Sequence, residues 1–156
     1  MIHLIKGDLF TTKATVIAHG VNCRGAFGSG VAGQIAKRWP KVQESYLERY
    51  RLKGWKLGDV ELVYSRSPLK HPIIANMATQ DKFGYDGKLY ADYNAIDICL
   101  DQVLYFADYC GYSVAMPKVG CGLAGADWNI VYGILQDLSC KYDRVAIEVY
   151  ELNNRE

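Results

Sequence analysis

Two glycine-rich turns, Gly25-Ala-Phe-Gly28-Ser29-Gly30 and Gly120-Cys121-Gly122-Leu123-Ala124-Gly125, hold the residues of this chain whose types and spacing point most directly to chemistry. Each follows an apolar, strand-like run and leads into a helix-like segment. Glycine adopts positive φ freely and has no side chain to keep a ligand away. Successive backbone N–H groups can therefore converge on phosphate oxygens, while the helix that follows adds the positive end of its dipole. One such turn is a weak signal. Two on one short chain narrow the ligands to those with a phosphate-rich middle that can be gripped from both sides.

The polar residues around these turns admit more than one role. Asp8 closes the first strand-like run, where its carboxylate can accept from an adenine amino group or cap the next backbone N–H groups. In His19-Gly20-Val21-Asn22-Cys23-Arg24, Asn22 can bind a ribose hydroxyl and His19 can shuttle a proton near neutral pH, although a single His at a strand end is more often structural. Asp127 can cap the helix beginning there or reach back to orient a water. The second turn matches G-x-G-x-x-G, yet it falls in the last quarter of the chain with one strand-like run after it, which is the wrong place for a dinucleotide-binding fingerprint. A phosphatase loop built on Cys121 would need an arginine six positions on. Asp127 stands there, so Cys121 reads as a small loop residue.

A sheet must position these groups. Strand-like runs fall at residues 2–6, 15–18, 60–64, 72–77, 113–119 and 144–150, and the 60–64 and 72–77 runs are joined by a Ser- and Pro-containing turn. Helical periodicity occupies 29–39, 41–52, 90–109 and 126–138, with Pro40 breaking the first pair and 79–86 reading as a functional loop. The order β-β-α-α-β-β-α-β-α-β predicts an α/β fold, a three-layer α/β/α sandwich on a mixed sheet with ligand loops at strand ends. The continuous run Ile73-Ile74-Ala75 predicts a central strand buried on both faces.

Composition bounds the partners. The 156 residues fit one domain, 1–156, and 50% hydrophobic against 22% charged residues is the balance of a compact fold. With 18 basic and 17 acidic residues the net charge is +1, which argues against a broad duplex nucleic-acid footprint but leaves room for a small anion held by local donors. Five cysteines without C-x-x-C spacing read as reduced thiols. No apolar stretch reaches membrane-spanning length, and we expect a cytoplasmic monomer with no metal and no cofactor.

Taken together, Ile5-Lys6-Gly7-Asp8-Leu9, Ile17-Ala18-His19-Gly20-Val21-Asn22-Cys23, Gly28-Ser29-Gly30-Val31-Ala32 and Met116-Pro117-Lys118-Val119-Gly120-Cys121-Gly122-Leu123-Ala124-Gly125 resemble the macro domain over nearly the whole chain. The similarity is greatest to the branch containing ADP-ribose 1''-phosphate phosphatases and terminal ADP-ribose glycohydrolases. It implies ADP-ribose or its 1''-phosphate as ligand, with Asp8 and Leu9 at the adenine, Tyr150 packed on that base and Asn22 at the distal ribose. Gly28, Ser29, Gly30 and Val31 would lie on one side of the diphosphate, and Gly120, Cys121, Gly122, Leu123, Ala124 and Gly125 on the other.

For chemistry, the resemblance implies a lysine in the loop after the central strand and an aspartate in the second glycine loop of the glycohydrolases. Gln80 or Asp81, and Ala124, stand here instead, with Lys82 one or two positions away. His19 matches a histidine proposed to act in the phosphatases. The resulting expectation is a hydrolase that removes the phosphate of ADP-ribose 1''-phosphate, with His19 and Asp127 as catalytic residues. The alternatives are a non-catalytic reader of ADP-ribose, or an eraser acting on ADP-ribosylated protein or nucleic acid, the one setting in which nucleic acid would be a partner.

Overall fold

The most apolar stretches of the chain become the middle of a sheet. A computed structural model describes residues 1–64 and 71–152. Its elements in chain order are β1 (Ile2–Lys6), β2 (Val16–Asn22), α1 (Gly30–Arg38), α2 (Pro40–Leu52), β3 (Val60–Tyr64), β4 (Ile73–Gln80), α3 (Tyr93–Cys110), β5 (Val114–Pro117), α4 (Trp128–Lys141) and β6 (Ile147–Glu151), with a 3-10 turn at Leu9–Thr11. Among the described residues the strands form one sheet in the order β1-β6-β5-β2-β4-β3, parallel throughout except that β3 runs antiparallel to β4 at one edge. This is the mixed sheet and element order that the sequence predicts.

In β4, residues 73–79 are buried, as a parallel strand covered by helices on both faces requires. One face carries Ile73, Ala75 and Met77 against Ile96, Leu100 and Leu104 of α3 and Leu135 of α4. The opposite face carries Ile17 and Ile74 against Ile35 of α1 and Val42 and Tyr46 of α2. Each fully buried Leu, Ile or Phe side chain is worth roughly 1.5–3 kcal/mol, so two such clusters hold the three layers together without disulfides; all five cysteines are free.

Several boundaries move for local reasons. Strand β4 continues to Gln80, so the expected loop starts at Asp81 rather than Thr79. Helix α3 begins at Tyr93, not Tyr90, because the Asp92 side chain caps it by accepting from Ala95 N. Residues 90 and 91 are instead spent as a strap, both N–H groups donating to Ala124 O at 2.8 and 3.0 Å. Helix α4 starts at Trp128 with Asp127 as its cap. The Ser- and Pro-containing turn expected between β3 and β4 falls largely outside the described residues.

Candidate functional site

The loops that leave β1, β2, β4 and β5 open on the same end of the sheet and enclose a cleft of about 840 Å³. Both glycine turns line it, with residues 28–32 on one wall and residues 120–124 on the other. They meet because β2 and β5 are hydrogen-bonded neighbours, Val16 pairing with Val114 and Ile17 with Ala115, although their loops lie far apart in sequence. Of the residues singled out in the sequence, Asp8, Leu9, His19, Asn22 and Tyr150 also line the cleft. Gly125 and Asp127 do not.

The two walls offer donors in different ways. Ser29 occupies the N-cap position of α1 without capping it, and its hydroxyl faces Tyr85 Oη at 3.3 Å. The first-turn N–H groups of α1 are thus free of a side-chain cap, and together with the helix dipole they form an anion-binding end. On the other wall, the N–H groups of Cys121, Gly125 and Ala126 donate to Lys118 O, Gly122 O and Gly120 O. Those of residues 122–124 meet no protein acceptor among the described residues, and they provide the second set of donors.

Here the sequence expectation needs correcting. The second loop does not use the dipole of the helix after it, because Asp127 Oδ1 already caps α4 by accepting from Asn129 N at 2.9 Å. Asp127 also lies outside the cleft lining, so no geometry here brings its remaining oxygen to a ligand for proton handling. Gly125 has φ +77, and a Cβ there would meet Lys88 O at 2.6 Å, so its role is to let the strap pass behind the loop rather than to touch a ligand.

Electrostatics reinforce the reliance on main-chain donors. Among the lining residues Lys118 is the one Lys or Arg, and its ammonium is paired with Glu151 at 2.9 Å. Cys121 keeps a thiol: burial pushes its pKa up, and Sγ lies 3.4 Å from Val119 O. No group of three or more His, Cys, Asp or Glu among the described residues could hold a metal ion. No helix among them is long and apolar enough to cross a membrane.

Ordered by the sheet, the cleft has two chemically different ends. Beyond β1 and β6, Asp8 Oδ1 accepts from Phe10 N at 2.9 Å to cap the 3-10 turn, which leaves its second carboxylate oxygen for a ligand. Half-buried Tyr150 stands on the neighbouring strand. Beyond β2 and β4 lie Asn22, Gln80 and, deeper, His19.

Asn22 is largely engaged by its own loop. Its Oδ1 accepts from Arg24 N and from the Tyr46 hydroxyl at 2.9 and 3.0 Å, and its Nδ2 donates to Ala26 O at 2.7 Å. One amide hydrogen remains for a ligand. Lys82 is exposed and does not line the cleft, whereas Gln80 does.

His19 differs from the expectation of a group that titrates near neutrality. It is 1% exposed, its Nε2 lies 2.5 Å from Asn76 Oδ1, and Phe27 packs edge-on at 5.5 Å. Burial lowers its pKa to about 4, against a smaller upward pull from Asn76, so at neutral pH the ring is uncharged.

Sequence reasoning missed Asn76, Thr79, Phe83 and Tyr85. Phe83 and Tyr85 line the cleft while remaining 45% and 68% exposed, and the usable signal was an aromatic pair flanking Gly84 in a loop already marked as functional. Asn76 was visible only as a polar residue inside an apolar strand, and Thr79 only as the first residue of the expected loop.

Known proteins are similar to this chain in sequence and in fold. The chain is 30% identical over 162 residues to an ADP-ribose 1''-phosphate phosphatase of Candida albicans, covering 96% of this chain and 99% of that protein. It is 27% identical over 154 residues to a DNA ADP-ribosyl glycohydrolase of Thermus aquaticus, covering 97% of this chain and 41% of that longer protein. The macrodomain of Mycobacterium tuberculosis DarG superposes with a TM-score of 0.84 at 26% identity, over 96% of this chain and 97% of that one. The macro domain family profile matches residues 18–135, a span that takes in both glycine loops, and the chain belongs to that family.

Proposed function

We propose that the cleft binds ADP-ribose and that the protein is a hydrolase releasing phosphate from ADP-ribose 1''-phosphate. The observation that carries the reading is the pair of main-chain donor walls, contributed by sequence-remote loops, on one cleft whose ends differ in chemistry. A diphosphate spans the walls. The adenine end is served by the free carboxylate oxygen of Asp8 and by the ring of Tyr150, and the distal ribose by Asn22 and the strand ends of β2 and β4. Whole-length similarity to a protein named for that phosphatase activity supports the choice of substrate.

In the hydrolysis, water attacks phosphorus and the bond to O1'' breaks, giving inorganic phosphate and ADP-ribose. The loop amides stabilise the phosphate charge and hold the substrate in line with the water. His19, uncharged at neutral pH, contributes as a hydrogen-bond acceptor at the cleft floor rather than as a proton donor. Asp127 keeps the capping role alone.

A second reading is a non-catalytic reader of ADP-ribose, favoured by one observation: of Gln80 or Asp81, and Ala124, where the resemblance implies a glycohydrolase lysine and aspartate, Gln80 and Ala124 line the cleft without an ionisable group and Asp81 does not line it. Purified protein should release phosphate from ADP-ribose 1''-phosphate and bind ADP-ribose by calorimetry. Binding without phosphate release would establish the reader and exclude the phosphatase. Absence of both would remove the ligand assignment altogether.

A further inference from the structure

The His19 contact continues sideways through the sheet. Residues 19 and 76 are register partners on β2 and β4, and residue 61 is the partner of 76 on β3, so three polar side chains stand in a row across adjacent strands. Asn76 is fully buried; its Oδ1 faces His19 Nε2 at 2.5 Å and its Nδ2 donates to Glu61 Oε1 at 3.4 Å. Only this orientation of the amide satisfies both neighbours, because a carboxylate can only accept and must meet the NH2 group. The amide oxygen is then left for the imidazole, whose Nε2 must carry the hydrogen. Nδ1 becomes the lone-pair nitrogen, buried and without a partner among the described residues, on a residue that lines the cleft.

We infer that Asn76 and Glu61 are positioning residues that lock His19 in its Nε2–H tautomer and so present Nδ1 to the cleft floor as a hydrogen-bond acceptor. The group that satisfies it is therefore a donor, either a hydroxyl of the bound sugar or an ordered water, and not an anionic oxygen. An unsatisfied buried acceptor is destabilising, and a hydroxyl entering the cleft would offset that cost. The sugar part of this assignment rests on the ADP-ribose reading; the tautomer lock stands without it. Glu61, half-buried on the edge strand, is the charged group that this row of contacts reaches, and the apolar ring of Phe27 faces the imidazole from the first loop.

The test is nitrogen NMR of the His19 ring in the full chain, with and without ADP-ribose. The expected free protein shows a protonated Nε2 and a bare Nδ1 at neutral pH, and added ADP-ribose moves the Nδ1 resonance in the direction of an accepted hydrogen bond. Glu61→Gln, on an edge strand where folding is tolerant, lets Asn76 turn either way and should produce a detectable Nδ1–H population. Asn76→Asp should raise the pH at which the ring titrates.

A protonated Nδ1 in the wild type, or a ring wholly unchanged in both variants, overturns the lock. An Nδ1 resonance unmoved by ADP-ribose that demonstrably binds overturns the acceptor role alone. If no ADP-ribose binds, the free-protein tautomer still decides the lock, so the ligand reading fails separately.

Discussion

Burying an imidazole beside an amide oxygen makes its proton affinity a stability term. His19 in the folded chain titrates at about 4, against 6.5 for the unperturbed group. Above that upper value both folded and unfolded states are neutral and pH has no leverage. As pH falls below it the unfolded chain takes up a proton that the native ring refuses, so stability declines through the window down to about pH 4. Between about pH 7 and 5 the loss should be on the order of 2 kcal/mol. Urea unfolding of wild type and His19→Gln at those two values measures it as the difference in their losses; equal losses would mean that His19 titrates normally.

Asp8 is a different case, because one oxygen caps a turn and the other is left over on a residue that lines the cleft. Asp8→Asn keeps an acceptor for Phe10 N but offers no anionic partner to an adenine amino group. Removing a hydrogen bond to a charged group costs about 1.5–3 kcal/mol, so calorimetry should show ADP-ribose affinity at least about tenfold weaker. The urea midpoint should stay nearly unchanged. Unchanged affinity would take Asp8 out of the site.

At the level of elements, two helical glycines separate propensity from packing. Gly133 in α4 has nothing within 4 Å of an added Cβ, and Gly→Ala in a helix interior stabilises by about 0.5–1 kcal/mol. Gly33 in α1 has the same propensity to gain, yet its Cβ would lie 2.8 Å from Gly28 O, in the loop that forms the first donor wall. Backbone cannot give way cheaply, so the clash should win. Gly133→Ala is expected to raise the melting temperature with ADP-ribose affinity intact, and Gly33→Ala to lower both. If Gly33→Ala binds normally, the first wall is not a contact surface.

The elements themselves were legible because each strand and helix announces its own period, and Pro40 punctuates where it should. What was not legible is whatever depends on a neighbour. Asn76 inside a buried strand signalled only a polar oddity until register placed it between His19 and Glu61. Asp127 carried two readings in the sequence, and only the 2.9 Å contact to Asn129 N decides for the cap. Tyr90 and Ala91 have helical surroundings, but their N–H groups are taken by a carbonyl on a distant loop.

For the whole molecule, the clamp is a property of strand order. β2 and β5 each launch one donor wall, and only their pairing makes two weak glycine signals into a single site. A ligand that touches both walls should therefore stabilise the fold as one unit, while a fragment that fills only the adenine end should not. At a free concentration of about 100 times Kd, a ligand binding the native state alone adds about 2.7 kcal/mol, or about 5–10 °C in Tm for a chain of this size. ADP-ribose should reach that shift in a thermal melt. AMP at the same concentration keeps the base and one phosphate but cannot bridge the walls, and it should give a small fraction of the shift. An equal shift from AMP would show that the adenine end alone accounts for binding, and the two-walled clamp would have to be abandoned.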